Sequence, residues 1–328
     1  MAPLLEVKDL KVEFSTRYGK VTALDGVSFT LDEGETLGVV GESGCGKSIT
    51  ALAVMGLIPM PPGRIAGGSI KYNGEELIGA PESRMRQLRG ADIGMIFQEP
   101  MTSLNPVFRV GDQIAEAILL HQGGRKSDAL AQAVDLLKTV GIPEPERRAQ
   151  SYPHELSGGM RQRVMIAMAI SCRPKVLIAD EPTTALDVTV QAQIFDLMRE
   201  IQEQFGVAII MITHDMGAIS EMADRVAVMY AGKMIEEGGA DAILDHPGHP
   251  YTKGLIGCIP VLDPAVALSD RPRPLAEIPG VVPPLHLLGA GCAFAERCGE
   301  VHDACKTAPA LLGTSHSVAC HAYAKRGT

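Results

Sequence analysis

No stretch of this sequence approaches the roughly 18–20 unbroken apolar residues that a membrane-spanning helix requires. Its most apolar run, Val207 to Ile212, has the length of a strand. The N-terminus, MAPLLEVKDLKVEF, brings in charged residues at once and lacks the apolar block of a secretory signal. A cytoplasmic location is therefore expected, and any membrane process served here must take its spans from other chains. A basic surplus is also missing. Lys and Arg number 30 against 39 Asp and Glu, a net charge of −9, which argues against a protein built mainly to grip nucleic-acid backbone. Internal repeats and low-complexity tracts are absent. What remains is ordinary globular composition, 46% apolar and 21% charged, in a 328-residue chain long enough for one large or two modest domains.

The seven cysteines are unevenly placed: Cys45, Cys172 and Cys258 are scattered, whereas Cys292, Cys298, Cys305 and Cys320 crowd into the C-terminal part. Their spacing, C-x5-C-x6-C-x14-C followed by His321, lacks the tight C-x2–4-C pair of most structural zinc sites. Clustered cysteines in a reducing compartment are more often metal ligands than disulfides. Four thiolates suit either Zn²⁺ or an iron–sulfur cluster.

Residues 4–40 alternate apolar and polar positions around turn signals, which predicts a small antiparallel sheet. Thr36 to Val40 reads as a buried strand running into a glycine-rich loop, and a helix is expected from Lys47 to about Leu57. Residues 100–158 carry helical periodicity and read as an insertion in an α/β core. The core resumes with a helix from Gly158 to about Arg173, a strand from Val176 to Ala179, a helix from Val188 to Phe205 capped by Gly206, and a strand from Val207 to Thr213. Strands alternating with helices imply a mainly parallel sheet. Residues 246–290 are rich in proline and read as a largely irregular extension.

Gly41-Glu42-Ser43-Gly44-Cys45-Gly46-Lys47-Ser48 matches the phosphate-loop pattern G-x-x-x-x-G-K-[ST], between a buried strand and a helix. Backbone N–H groups of such a loop converge on phosphates at a helix N-terminus. Lys47 is expected on the β- and γ-phosphates and the Ser48 hydroxyl on Mg²⁺. Cys45 is part of the loop, with no redox role expected. Val176-Leu-Ile-Ala-Asp180-Glu181 is an apolar strand ending in two carboxylates. Alone that is common; downstream of a phosphate loop it places Asp180 on Mg²⁺ and Glu181 on the attacking water.

Leu156-Ser157-Gly158-Gly159-Met160-Arg-Gln162, opening a helix just before that strand, closely resembles the LSGGQ signature of the ABC ATPase family. Met160 replaces the last signature glutamine. The resemblance extends over residues 4–240 and adds a Q-loop glutamine in Ile96-Phe-Gln98-Glu-Pro100. It further adds a D-loop, Thr184-Ala-Leu-Asp187, and a switch histidine in Ile212-Thr-His214-Asp215. It implies a divided active site in which Ser157, Gly158 and Gly159 of one subunit cap the γ-phosphate held by its neighbour. Gln98 would sense that phosphate through Mg²⁺ and water, and His214 would contact it. Adenine would stack on Tyr18, with Phe14 as the alternative.

Two branches of the family compete: an importer subunit, and a soluble ATPase acting on nucleic acid or ribosomes. The long coiled coils, inserted zinc modules or paired cassettes of soluble forms are absent here. Pro100-Met-Thr-Ser-Leu-Asn-Pro106 instead resembles the peptide and nickel importers, as do His249-Pro-Tyr-Thr-Lys-Gly-Leu255, Ile278-Pro-Gly-Val-Val-Pro-Pro284 and Gly291-Cys-Ala-Phe-Ala-Glu-Arg-Cys298. That resemblance implies a peripheral protein on the cytoplasmic face of the membrane. Its expected partners are two membrane-spanning permease subunits, a second and different ATPase subunit and a substrate-binding protein, with no nucleic acid. It also implies a [4Fe–4S] cluster on Cys292, Cys298, Cys305 and Cys320, with Zn²⁺ the alternative and His321 a neighbour. Peptides are the first expected cargo; nickel complexes, opines, glutathione and sugars use similar subunits.

The expected fold is thus a phosphate-loop NTPase core of α/β class, with a front antiparallel β-subdomain and a helical subdomain at about residues 99–160. Residues 1–240 form the ATPase domain in this reading, and residues 241–328 a loop-rich metal-binding extension.

Overall fold

The structure is a computed structural model, and it describes residues 2–17, 19–99, 103–184, 186–259 and 277–324. Long alternating segments build the front sheet. β1 (Leu5–Thr16) pairs antiparallel with β2 (Gly19–Leu31) in a register that sets Leu5 opposite Leu31 and Val7 opposite Phe29. β4 (Gly63–Tyr72) and the short β5 (Glu75–Glu76) complete it in the order β2-β1-β4-β5.

The second sheet has seven strands. Its centre is parallel: β3 (Thr36–Val40), β6 (Ile93–Ile96), β7 (Val176–Asp180), β8 (Ala208–Thr213) and β9 (Arg225–Tyr230). β3, β6, β7 and β8 are buried at every position, as continuous apolar runs covered on both faces should be. Period-two alternation then divides each strand between two cores. Val176, Ile178, Ala208, Ile210 and Ile212 join a core with the front sheet and α1 (Lys47–Val54). Leu177, Ala179, Ile209 and Met211 join a second core with the helical layer.

That layer comprises α3 (Val110–Gln122), α4 (Lys126–Thr139), α5 (Pro145–Ala149), α6 (Gly158–Ile170), α7 (Val188–Phe205) and α8 (Met216–Met222), with α2 (Glu82–Leu88) preceding β6. α3 to α5 form the helical insertion read from the sequence. Gly206 caps α7 as expected, at φ 64° with its N–H on the Gln202 carbonyl. α6 stops earlier than expected. The Ser171 hydroxyl donates to the Met168 carbonyl at 2.8 Å, and Arg173 turns to φ 55°.

The C-terminal part departs most from expectation. β10 (Lys233–Gly239) and α9 (Ala240–Asp245) lead into α10 (Pro250–Gly257), a helix inside the proline-rich segment. Pro250 occupies its first turn and His249 caps it, the Tyr251 N–H donating to His249 Nδ1 at 3.0 Å; histidine is a weak capping signal in sequence. β11 (His316–Val318) then adds an antiparallel edge strand to β10, and α11 (His321–Ala324) follows. Fully buried Glu236 secures this seam, accepting from the Gly248 and His249 N–H groups at 2.6 and 2.9 Å and facing His316 Nε2 at 2.7 Å. No helix among the described residues is long and apolar enough to cross a membrane.

One close contact gives a stability prediction. A Cβ on Gly94 of β6 would lie 2.5 Å from the Ala169 carbonyl oxygen of α6, a backbone atom that cannot swing aside. Gly94→Ala should therefore cost about 1–3 kcal/mol in denaturant unfolding. A shift under about 0.5 kcal/mol, the usual span for an open surface site, would refute this packing.

Candidate functional site

The phosphate loop is shaped by backbone that only glycine tolerates. Gly41 lies at φ 154°, and a Cβ there would fall 2.2 Å from the Met229 carbonyl oxygen; at Gly46 (φ 108°) one would meet Leu24 at 2.6 Å. Lys47, 4% exposed, folds back on the loop and donates from Nζ to the carbonyls of Gly41 at 2.6 Å and Glu42 at 3.2 Å. Cys45 is fully buried and burial raises its thiol pKa, so it packs as a small apolar group.

The strand-end carboxylates meet this loop. Ser48 Oγ donates to Asp180 Oδ1 at 3.0 Å, bringing together the two expected Mg²⁺ ligands. Burial is the main influence on Asp180 and pushes its pKa up, an imbalance that a cation at the same place would relieve. Glu181 follows in left-handed backbone at φ 47°, its N–H donating to the Ile212 carbonyl at 2.8 Å. That conformation is uncommon for a non-glycine residue and here sets the Glu181 carboxylate at the end of the strand. Its carboxylate accepts from Gln98 Nε2 and from Thr184 Oγ1, each at 2.9 Å, and faces His214 Nδ1 at 3.4 Å. Burial would raise the Glu181 pKa, but the Thr184 hydrogen bond together with His214 and Lys47 holds it below its ordinary value.

These groups open on a cleft of about 480 Å³ lined by Gly41, Glu42, Ser43, Gln98, Glu181, His214 and Leu255. An adjoining cleft of about 450 Å³ runs past Thr183, Thr184, Thr213, His214 and Asp215 to Leu255 and Cys258 of the C-terminal part. The signature residues line neither cleft. Ser157 caps α6, its Oγ accepting from the Met160 N–H at 3.3 Å, and Gly158 and Gly159 form the first turn. A Cβ on Gly158 would meet nothing within 4 Å, so this helix N-terminus is open. Asp187 serves locally as the cap of α7, accepting from the Val190 N–H at 3.0 Å. Tyr18 lies outside the described residues, as do Pro100 to Thr102 of the segment after Gln98. Phe14, the alternative stacking ring, packs against the front core, where a Cβ on Gly63 would touch it at 2.9 Å.

Three residues at this site escape sequence reading. Thr184 was legible only as part of the D-loop string. Tyr251 and Arg297 carry no local signal, because they reach Glu42 across 209 and 255 positions of chain.

The four C-terminal cysteines converge. Cys292, Cys298, Cys305 and Cys320 line one small cavity together with His249, His302 and His321, and all four are free thiols. Among the described residues, however, no three His, Cys, Asp or Glu side chains form a group arranged to hold a metal ion. The expected ligand set is therefore not formed as such. Burial is the main influence on Cys292 and Cys298 and raises the pKa of both thiols. His321 is a neighbour, its Nε2 engaging the Thr307 carbonyl at 3.1 Å.

Comparison with known proteins bears on this geometry. A family described as "ABC transporter" matches residues 24–184, and one described as "Oligopeptide/dipeptide transporter, C-terminal region" matches residues 235–305. The oligopeptide transport ATP-binding protein OppD of Bacillus subtilis (strain 168) is 54% identical over 90% of this chain and 81% of its own length. OppD of Salmonella typhimurium is 53% identical over 94% of this chain and 90% of its own. Among solved structures, the dimeric post-hydrolysis state of the ATP-binding cassette MJ0796 with ADP and Pi superposes with a TM-score of 0.65. That match is at 25% identity and covers 72% of this chain and 98% of the other.

Proposed function

We propose, for a chain that belongs to the ABC transporter family and is an ATP-hydrolysing importer subunit, that it drives uptake of oligopeptides by closing a head-to-tail dimer around ATP. The observation that carries the dimer is the division of the site. One cleft gathers Gly41 to Ser43, Gln98, Glu181 and His214, while the open helix N-terminus at Ser157, Gly158 and Gly159 lies outside it. A partner's signature helix would aim its N–H groups and partial positive charge at the γ-phosphate in this cleft. This chain's own signature would do the same for the partner. Ser48 and Asp180 would hold Mg²⁺, which supplies charge neutralisation at the β- and γ-phosphates. Lys47 binds the same oxygens, Glu181 polarises the attacking water, and Gln98 and His214 bracket the γ-phosphate. Tyr18 is retained as the adenine-stacking residue and Asp187 as the D-loop contact across the dimer.

In this reading residues 1–240 are the ATPase domain and residues 241–328 an extension of oligopeptide-transporter type. Two permease subunits, a substrate-binding protein and a second, paralogous ATPase subunit complete the complex, with this chain peripheral on the cytoplasmic face. Reconstitution of those subunits in liposomes should give uptake of labelled oligopeptide that depends on ATP at this chain's face. Uptake that ignores ATP, or purification with ribosomes or DNA in place of permeases, would overturn the proposal. Gly159→Asp puts a carboxylate at the anion-facing turn and crowds Val190, whose Cγ1 lies 3.0 Å from the Cβ position. It should leave Mg-ADP binding to the isolated chain within about twofold while lowering hydrolysis by the assembled pair at least about tenfold. Equal loss of both activities would count against a signature acting in trans.

The [4Fe–4S] assignment is proposed on the convergence of Cys292, Cys298, Cys305 and Cys320 on one cavity in a chain without disulfides. Such a cluster would be held by four thiolates and would staple a loop-rich segment. Anaerobically purified protein should absorb near about 400 nm and contain iron and acid-labile sulfide. Stoichiometric zinc with no such absorption would favour the zinc alternative.

A further inference from the structure

The phosphate loop is held from outside by the C-terminal extension, at a single residue. Glu42, the second position of the loop, is gripped at both its backbone and its side chain. Its N–H donates to Tyr251 Oη of α10 at 2.8 Å, and Tyr251 is fully buried. Its carboxylate receives a two-pronged contact from Arg297, Nη1 to Oε2 at 2.7 Å and Nη2 to Oε1 at 3.0 Å. The rest of that guanidinium is also committed. Nε donates to the Pro279 carbonyl at 2.7 Å, Nη1 reaches Tyr230 Oη at 3.3 Å, and Nη2 reaches the Ile278 carbonyl at 3.4 Å.

All five N–H donors of an arginine are thus engaged. The side chain is only 4% exposed and lies 5.8 Å from the ring centroids of both Tyr230 and Phe294. A lysine could not reproduce this fork. From Glu42 the contact continues inward, because the Glu42 carbonyl is one of the two that receive Lys47 Nζ. Arg297 itself lies between Cys292 and Cys298, its own N–H donating to the Phe294 carbonyl at 3.0 Å, so its position depends on the cysteine-bearing turn. Arg297 and Glu42 link that turn to the lysine of the loop by direct hydrogen bonds.

We propose that Arg297 and Tyr251 are positioning residues for the phosphate loop, through which the cysteine-bearing turn sets nucleotide affinity. The inference rests on the reading of Gly41 to Ser48 as the ATP loop. Arg297 lines neither cleft of the nucleotide site; it holds Glu42, and with it the backbone on which Lys47 rests. A bond that merely anchored the extension would change melting and leave nucleotide affinity alone.

The test uses the full-length chain and a fluorescent mant-ADP titration with Mg²⁺. Wild type is compared with Arg297→Met, Arg297→Lys, Glu42→Gln and the Arg297→Met/Glu42→Gln double variant, with a melting curve for each. Arg297→Met and Glu42→Gln should each weaken binding by about tenfold, the scale of one charge-assisted contact. The double variant should weaken it by about the same tenfold rather than about a hundredfold, because both changes remove one interaction. Arg297→Lys should fall between, and steady-state ATPase assays of the Arg297 variants in the assembled pair should show KM rising while kcat stays within about twofold. If Arg297→Met does not fold, Glu42→Gln and Arg297→Lys carry the comparison. Binding within about twofold of wild type in folded variants, or fully additive losses, would overturn the proposal. Failure of the wild type itself to bind mant-ADP would instead overturn the reading of the loop.

Discussion

Glu181→Gln should lower steady-state ATP hydrolysis by about two to four orders of magnitude while Mg-ATP stays bound and the closed dimer accumulates. Glutamine keeps the shape of the side chain and can still accept from Gln98 Nε2 and Thr184 Oγ1, the two donors that now hold Glu181 at 2.9 Å. What it loses is basicity. The Glu181 carboxyl is held below its ordinary pKa by the Thr184 hydrogen bond, His214 and Lys47, against the upward push of burial. It is therefore ionised at neutral pH and able to polarise water. Oε2 accepts from Gln98 and Thr184, while Oε1 faces His214 at 3.4 Å and keeps acceptor capacity for a water. The substitution should stall the cycle at hydrolysis, with nucleotide bound. Size-exclusion chromatography with ATP and Mg²⁺ would detect the trapped dimer, and hydrolysis at the wild-type rate would sink the assignment.

That carboxylate also shows how unevenly the molecule is legible in its sequence. The phosphate loop, the strand ending at Glu181 and the signature turn are short-range patterns, each flanked by a strand or helix with its own periodicity, so residue types and setting agree. Three strands of the parallel centre, β3, β7 and β8, were readable for the same reason: Thr36 to Val40, Val176 to Asp180 and Ala208 to Thr213 are continuous buried runs of strand length. The strands β4, β6, β9 and β10 were not anticipated. Gly63 to Tyr72 contains Gly67 and Gly68 and alternates weakly, because only part of one face is buried. The extension was the hardest to read. Its helix α10 is capped by histidine, β11 is three residues long, and its main attachments, Glu236 to His316 and Arg297 to Glu42, are buried polar contacts between distant positions. Local propensity carries no information about such pairs. The cysteines were legible as a set. Their convergence on one cavity is a property of the fold, and the thiol positions form no ligand group among the described residues.

Lys47→Met should abolish productive nucleotide binding, weakening Mg-ATP affinity by about a hundredfold or more, with a melting temperature close to wild type. The two effects separate because of what Lys47 touches. Lys47 is 4% exposed and its ammonium donates to the carbonyls of Gly41 and Glu42, so its structural contribution is two hydrogen bonds within a loop that glycine geometry already shapes. Methionine has similar length and fills the same space at a cost of about 1–2 kcal/mol for the two carbonyls left without that donor. The electrostatic loss is of another order. A β,γ-phosphate group brings several negative charges to a loop whose remaining donors are neutral N–H groups, and removing the loop's own cation forfeits charge-assisted bonds to more than one oxygen. The loss is compounded at Asp180, whose pKa burial already raises and which Lys47, after Ser48, helps to hold down. Without Lys47, Mg²⁺ would be the main countercharge left for the β- and γ-phosphates, so the variant's residual binding should be more sensitive to Mg²⁺ concentration than wild type. Calorimetric titration of ATP at two Mg²⁺ levels, beside a melting curve, tests both parts. Wild-type affinity would remove Lys47 from the phosphate site, whereas lost affinity with a collapsed melting transition would make its role structural.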